Sequence, residues 1–251
     1  MDFTLILLVV GAVFLGSLMR ATFGFGDSVV SMPLLALLPI PFSSAVALVG
    51  LVGFTVALFF AGSAWKYKDP IVLKKLSIAT LAGIPFGLLL VRIANQQWIS
   101  LFLGIILVTY SIYSLSGSET RQQNLETTFQ NTNYSLPFGF ASGMLGSAYN
   151  MNGIPVVLYA TTRDWTPIKF IGNIQSHFIV SSTLIVLGHF LSGFWTKDVG
   201  IYYISSLPAI VLAVWIGSKL YHKIDTDKFK HYVFYLILVL GILNLMEIFK
   251  E

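Results

Sequence analysis

The chain has 251 residues, of which 56% are hydrophobic and only 10% charged, and its mean hydropathy is +0.81. A soluble domain carries roughly 25% charged residues, so this one cannot coat itself for water and lipid must be the solvent for much of it. The net charge of +4 does not indicate a nucleic-acid partner, because the basic residues gather in short loops between apolar runs, and the absence of cysteine excludes disulfides, thiol catalysis and Cys-ligated metal.

In chain order the apolar runs are residues 3–19, 29–38, 45–62, 76–91 and 99–115. A polar stretch, SGSETRQQNLETTFQNTN, follows, and then come runs at 136–145, 154–160, 174–194, 201–220 and 232–246. At about 20 residues per crossing there is room for seven or eight membrane segments. With no basic leader and no small-residue cleavage site near Asp2, a cleaved signal peptide is not expected. The polar stretch reads as a linker, dividing the chain into a first membrane half (1–115), the linker (116–134) and a second half (135–251).

The halves can be laid over each other. Pro33 falls on Pro155, the segment ending at Asp69 resembles that ending at Asp198, and Gly87 matches Gly217, with an insertion implied around residues 161–169. Lys66, Lys68, Lys74 and Lys75 form one basic loop, Lys219, Lys223, Lys228 and Lys230 another, and Arg163 with Lys169 a milder third. Placing all three in the cytoplasm makes 136–160 a hairpin that enters and leaves on one side. Each arm of about 10 residues reaches roughly 15 Å, to mid-bilayer. If the first half follows suit, each half is one broken, re-entrant Gly-rich segment plus three spanning helices. Three crossings is odd, so the expected fold is an all-α polytopic membrane protein of two inverted repeats. The run 3–19 is long enough to span and strains this scheme.

The chemistry should sit at the two breaks, FGFGDS (23–28) and GMLGSAYNMNG (143–153). Non-helical backbone at membrane depth survives only where it is buried in protein or lines a cavity. The helical arms after the breaks would aim free N–H groups and positive dipole ends at an anion. The plainer reading of such glycines is close helix packing; two at matching places favour a transport site. The candidate binding residues are Arg20, Gly24, Phe25, Gly26, Asp27 and Ser28 at the first break. At the second they are Asn150, Asn152 and Gly153, with Asn173, Gln175 and His177 nearby; Pro33 and Pro155 count as structural breaks.

Arg20 and Asp27 carry charge inside apolar sequence, at a cost of roughly 2.5–3.5 kcal/mol each, which points to a pair, a pathway or both. Arg20 suits a sulfonate or carboxylate, and Asp27 suits a coupling proton or the exclusion of dianions. His177 reads either as a packing histidine or as a protonatable group facing a cavity. His189 is expected at the interface, His222 and His231 in solvent, Arg92 as an interface anchor, and Arg163 paired with Asp164 on the surface. No nucleotide, metal or hydrolase motif is present, so neither an enzyme, a cofactor nor a metal is expected.

GFGDSVVSMPLL (24–35), GMLGSAYNMNGIPVVL (143–158), the two-half layout and the length resemble the TauE/SafE family of sulfite and organosulfonate exporters. The run RATFGFGD (20–27) is similar to one branch of that family. The resemblance covers nearly the whole chain and implies transport of a small sulfur-containing anion coupled to an ion gradient. The second copy differs from the family pattern in having Ser147, Tyr149, Asn150 and Asn152 where glycines are often denser.

The expectation is therefore a secondary transporter of a small anion in a lipid bilayer, with the bacterial inner membrane as its place and the proton as one candidate coupling ion. A homo-oligomer is compatible with this. The alternatives are an anion channel, a non-transporting accessory subunit, and an intramembrane enzyme on lipid phosphate, which would need an acidic or histidine cluster that the sequence lacks.

Overall fold

A computed structural model describes residues 2–116, 131–163, 165–220 and 226–246, so most of the 116–134 linker, Lys223, His222 and Asp164 lie outside the described residues. Those described are helical, with no strand among them: α1 (Phe3–Phe23), α2 (Asp27–Ala36), α3 (Phe42–Ala64), α4 (Pro70–Ile93), α5 (Gln96–Leu115), α6 (Ser135–Tyr149), α7 (Gly153–Thr161), α8 (Pro167–Leu191), α9 (Lys197–Leu220) and α10 (Thr226–Met246).

Five of these, α1, α4, α8, α9 and the Phe42–Phe60 part of α3, are long and apolar enough to cross a membrane. The 24 residues of α4 extend about 36 Å, against a hydrocarbon core of about 30 Å. Their outward residues are large and apolar, among them Leu7, Leu15, Ile78, Phe86, Leu89, Leu187, Ile204 and Trp215, which is what a lipid-facing surface requires. By contrast α2 has 10 residues and α7 has 9, each about 15 Å of helix or less, which reaches half-way. The run 3–19 grows into a helix of 21 residues, so in length the first hairpin pairs a full-length arm with a short one.

Two compact units are present. The first comprises Met1–Val52, Val91–Gly117 and Trp195–Glu251; the second comprises Gly53–Leu90 and Ser118–Phe194. Each draws on both halves of the sequence. In the first unit, α1 packs on α2 and on α9, and α5 packs on α10. Gly217 of α9 sits so close to Ala21 of α1 that a methyl there would meet the Ala21 side chain.

In the second unit, α4 and α6 lie in close backbone contact. A Cβ on Gly83 or Gly87 would overlap the carbonyl oxygens of Phe140 and Met144, and one on Gly143 would overlap that of Thr80. Both helices show a small-xxx-small spacing, the pattern that lets backbones approach where lipid supplies no hydrophobic drive between helices. Gly139 and Gly143 therefore serve the packing role; the change of direction comes later in the chain.

Candidate functional site

In the first unit the helix α1 stops at Gly24, whose φ of 82° is left-handed and whose N–H donates to the Arg20 carbonyl at 2.7 Å. A residue with a Cβ would pay for that conformation, and glycine does not. Phe25 follows, then Gly26 at φ 92°, and α2 starts at Asp27. Arg20 therefore stands in the last turn of α1 and Asp27 in the first turn of α2. Their side chains meet: Arg20 Nη1 donates to Asp27 Oδ2 at 2.8 Å, and both are largely buried.

The electrostatics of this arrangement are coherent. A cation lies at the negative end of one helix and an anion at the positive end of the next, so the pair complements both dipoles and each other. Pairing, one of the two readings open to these residues, is what the structure shows. It also places a carboxylate of the chain itself at the α2 N-terminus, where an incoming anion was expected. Ser28 is buried beside it, and Gly16 packs so tightly under α2 that a Cβ would overlap Ser31, whose hydroxyl donates to the Ala12 carbonyl at 3.1 Å.

The second unit builds its interruption from asparagine. Asn150 caps α6 at φ 57°, the one non-glycine residue with positive φ among those described. Its N–H donates to the Gly146 carbonyl at 2.8 Å, and Met151 N–H to that of Leu145 at 3.2 Å. Asparagine tolerates the left-handed region better than other side chains. Asn152 precedes α7, and Gly153 begins it, at a place where an added Cβ would lie 3.1 Å from the Phe178 ring.

The two interruptions thus share a plan, with Gly24-Phe25-Gly26 answering to Asn150-Met151-Asn152. Gly24 and Asn150 are both left-handed, whereas Gly26 is left-handed and Asn152 right-handed at φ −59°. On this match the prolines fall four residues, about one turn, out of step. Pro33 lies inside α2 and Pro155 in the first turn of α7, where its missing N–H costs nothing. Both belong to the arms, and the backbone changes direction at the Gly and Asn residues.

The polar side chains of the second unit are largely committed to one another. Asn152 Nδ2 donates to Ser181 Oγ at 2.7 Å, while the Asn152 carbonyl accepts from Ser142 Oγ at 2.8 Å. Asn173 Oδ1 accepts from Asp69 N–H at 2.7 Å and its Nδ2 donates to the Lys169 carbonyl at 2.8 Å, so both ends of this amide hold backbone. Gln175 is buried on the same helix. His177 is fully buried, its Nε2 3.1 Å from Thr80 Oγ1, which in turn lies 3.1 Å from the Gly139 carbonyl.

One peripheral expectation changes. His189 is buried, with Nε2 2.9 Å from the Ser147 carbonyl and its ring against Phe194; α8 continues two residues beyond it, and the ring turns inward to a carbonyl acceptor. Arg163 lies over the rings of Tyr159 and Trp165, at 5.7 and 5.9 Å. Ser142, Thr80, Ser147 and Ser181 all take part in these networks and were not among the candidate binding residues read from the sequence. Their signal was a hydroxyl inside an apolar helix, a common pattern wherever membrane helices pack.

Among the described residues no group of three His, Asp or Glu could hold a metal ion. Comparison with curated proteins and with solved structures gives no match. The family model described as sulfite exporter TauE/SafE matches residues 8–244, a stretch that contains both interruptions. With a match over nearly its whole length and five helices fit to cross a bilayer, this chain belongs to the sulfite exporter TauE/SafE family of integral membrane transporters.

Proposed function

We propose that the chain is a secondary transporter that exports a small sulfur-containing anion, such as sulfite or an organosulfonate, by alternating access coupled to an ion gradient. The observation that carries this reading is the buried Arg20–Asp27 pair set across the interruption between α1 and α2. The family gives the class of substrate, and the break has chemistry suited to it. A guanidinium offers a planar fork of donors to the oxygens of a sulfonate or sulfite. Asp27 holds that fork when no anion is bound. A proton taken up by Asp27 frees Arg20 for the anion and keeps the local charge balanced, which makes the proton the natural coupling ion.

Backbone N–H groups around Gly24–Ser28 complete the proposed binding groups of the first break; at the second, those around Asn150–Gly153 would act with Asn152, Gln175 and His177. The basic loops and the shared plan of the two interruptions support two inverted repeats (1–115 and 135–251) in a bacterial inner membrane, one rocking against the other.

Flux measurements in proteoliposomes test the proposal. Uptake of sulfite or a sulfonate should saturate and accelerate with an imposed pH gradient. An ohmic current without saturation would make the protein a channel, and no flux or binding of any anion would make it an accessory subunit.

A further inference from the structure

One ridge of α8 carries Asn173, His177 and Ser181 at successive four-residue steps, which stack side chains along a helix over about 12 Å. Each reaches a different place: the Asp69 N–H ahead of α4, Thr80 within α4, and Asn152 at the interruption. The ridge therefore runs from the end of the unit where α4 begins to the point where the hairpin breaks.

The hydrogen positions at its centre follow from the partners. The Gly139 carbonyl can only accept, so the single Thr80 hydroxyl proton goes to it, and His177 Nε2 must carry the proton it donates to Thr80 Oγ1. In the neutral imidazole His177 Nδ1 is then a bare lone pair. It is buried and has no hydrogen-bond partner among the described residues, and the same holds for Ser176 Oγ beside it and for Ser77 Oγ one turn before Thr80. Tyr159 Oη, on the returning arm α7, is in the same condition.

Buried polar atoms in native proteins are satisfied by protein, ion or water, and an unmatched one costs about 1–3 kcal/mol. Several in one unit, mixing donors and one acceptor, with no carboxylate among them, suit a neutral molecule that both donates and accepts. We infer that the second unit holds a water-filled polar passage along the Asn173–Ser181 ridge of α8, leading from Asp69 to the interruption at Asn152. His177 Nδ1, Ser176 and Ser77 line it. The inference deepens the transport reading, since a carrier must admit water to its break from one side, but its test needs no anion flux.

The chain has no cysteine, so single cysteines can be placed without background. Only a thiolate reacts with aminoethyl methanethiosulfonate, and a thiolate forms only where water reaches it. In proteoliposomes Ser176→Cys and Ser77→Cys should react at least about tenfold faster than Leu187→Cys, which faces lipid. Rates no faster than that control would overturn the passage. On the unsubstituted protein, water-edited solid-state NMR of 15N-histidine, with His177 assigned by its loss in His177→Gln, gives a second reading. Transfer from water to an Nδ1 without a proton supports the passage, and a dry ring or a proton on Nδ1 overturns it. Rapid labelling in a protein that moves no anion would sink the transport proposal and leave the passage standing.

Discussion

Arg20 Nη1 and Asp27 Oδ2 lie 2.8 Å apart across two glycines that turn the chain from α1 into α2, and both side chains are almost wholly shielded. They stand seven positions apart in sequence. Their pairing is possible because Gly24 ends one helix and Gly26 begins the next before the chain has moved away.

Breaking this pair from one side should be costly. A buried charge left alone costs roughly 3–5 kcal/mol, whereas removing both partners costs much less. Arg20→Ala and Asp27→Ala should each lower the thermal midpoint in detergent, and the double variant should fall well short of their sum. Additive losses would mean that the two charges do not interact.

The same pair makes a prediction about binding. Asp27→Asn keeps the shape of the side chain and removes the charge that competes for the guanidinium. Sulfite or a sulfonate should then stabilise the protein more strongly than in the unsubstituted chain, by about tenfold in affinity, or roughly 1.4 kcal/mol. Arg20→Ala should abolish anion-induced stabilisation in the same thermal-shift assay.

At the second interruption, Asn150→Gly and Asn150→Ala separate conformation from chemistry. The left-handed φ of 57° costs an alanine about 1–2 kcal/mol and a glycine almost nothing. Chemical denaturation should show the alanine variant to be the less stable of the two. Equal losses would assign the role of Asn150 to its side-chain contacts.

Packing of α4 on α6 can be tested by single methyl groups. Gly143→Ala places a methyl on the Thr80 carbonyl, and Gly83→Ala one on that of Phe140. Neither neighbour is a flexible side chain, so each should cost about 1–3 kcal/mol. Gly200→Ala, in open space on α9, should be neutral or stabilising by up to about 1 kcal/mol. Midpoints of unfolding for the three variants decide it.

The Asn173 amide joins Asp69 N–H to the Lys169 carbonyl. Asn173→Asp keeps the acceptor and loses the donor, while Asn173→Leu loses both. Stability should fall in the order native, Asp, Leu, with about 1 kcal/mol per hydrogen bond. Anion-induced stabilisation should persist in Asn173→Leu, since both ends of the amide are engaged with backbone.

Much of this protein was legible from its residues. Ten per cent charge over 251 residues leaves only lipid as solvent. The runs of apolar residues became helices, and the glycine and asparagine clusters became the interruptions, because few other residues accept a left-handed φ. What sequence could not decide was which end of the chain meets which. Hydrophobic runs look alike to a lipid, so nothing in α9 announces that it will pack on α1, or in α4 that it will receive α6; the close approaches at Gly217 and Gly143 settle those partners. The same limit applies to the polar residues. Arg20 with Asp27 could be guessed, being neighbours at one break. Thr80 with His177, and Asn152 with Ser181, are hydrogen bonds between distant segments, and only packing brings such groups within 3 Å of each other.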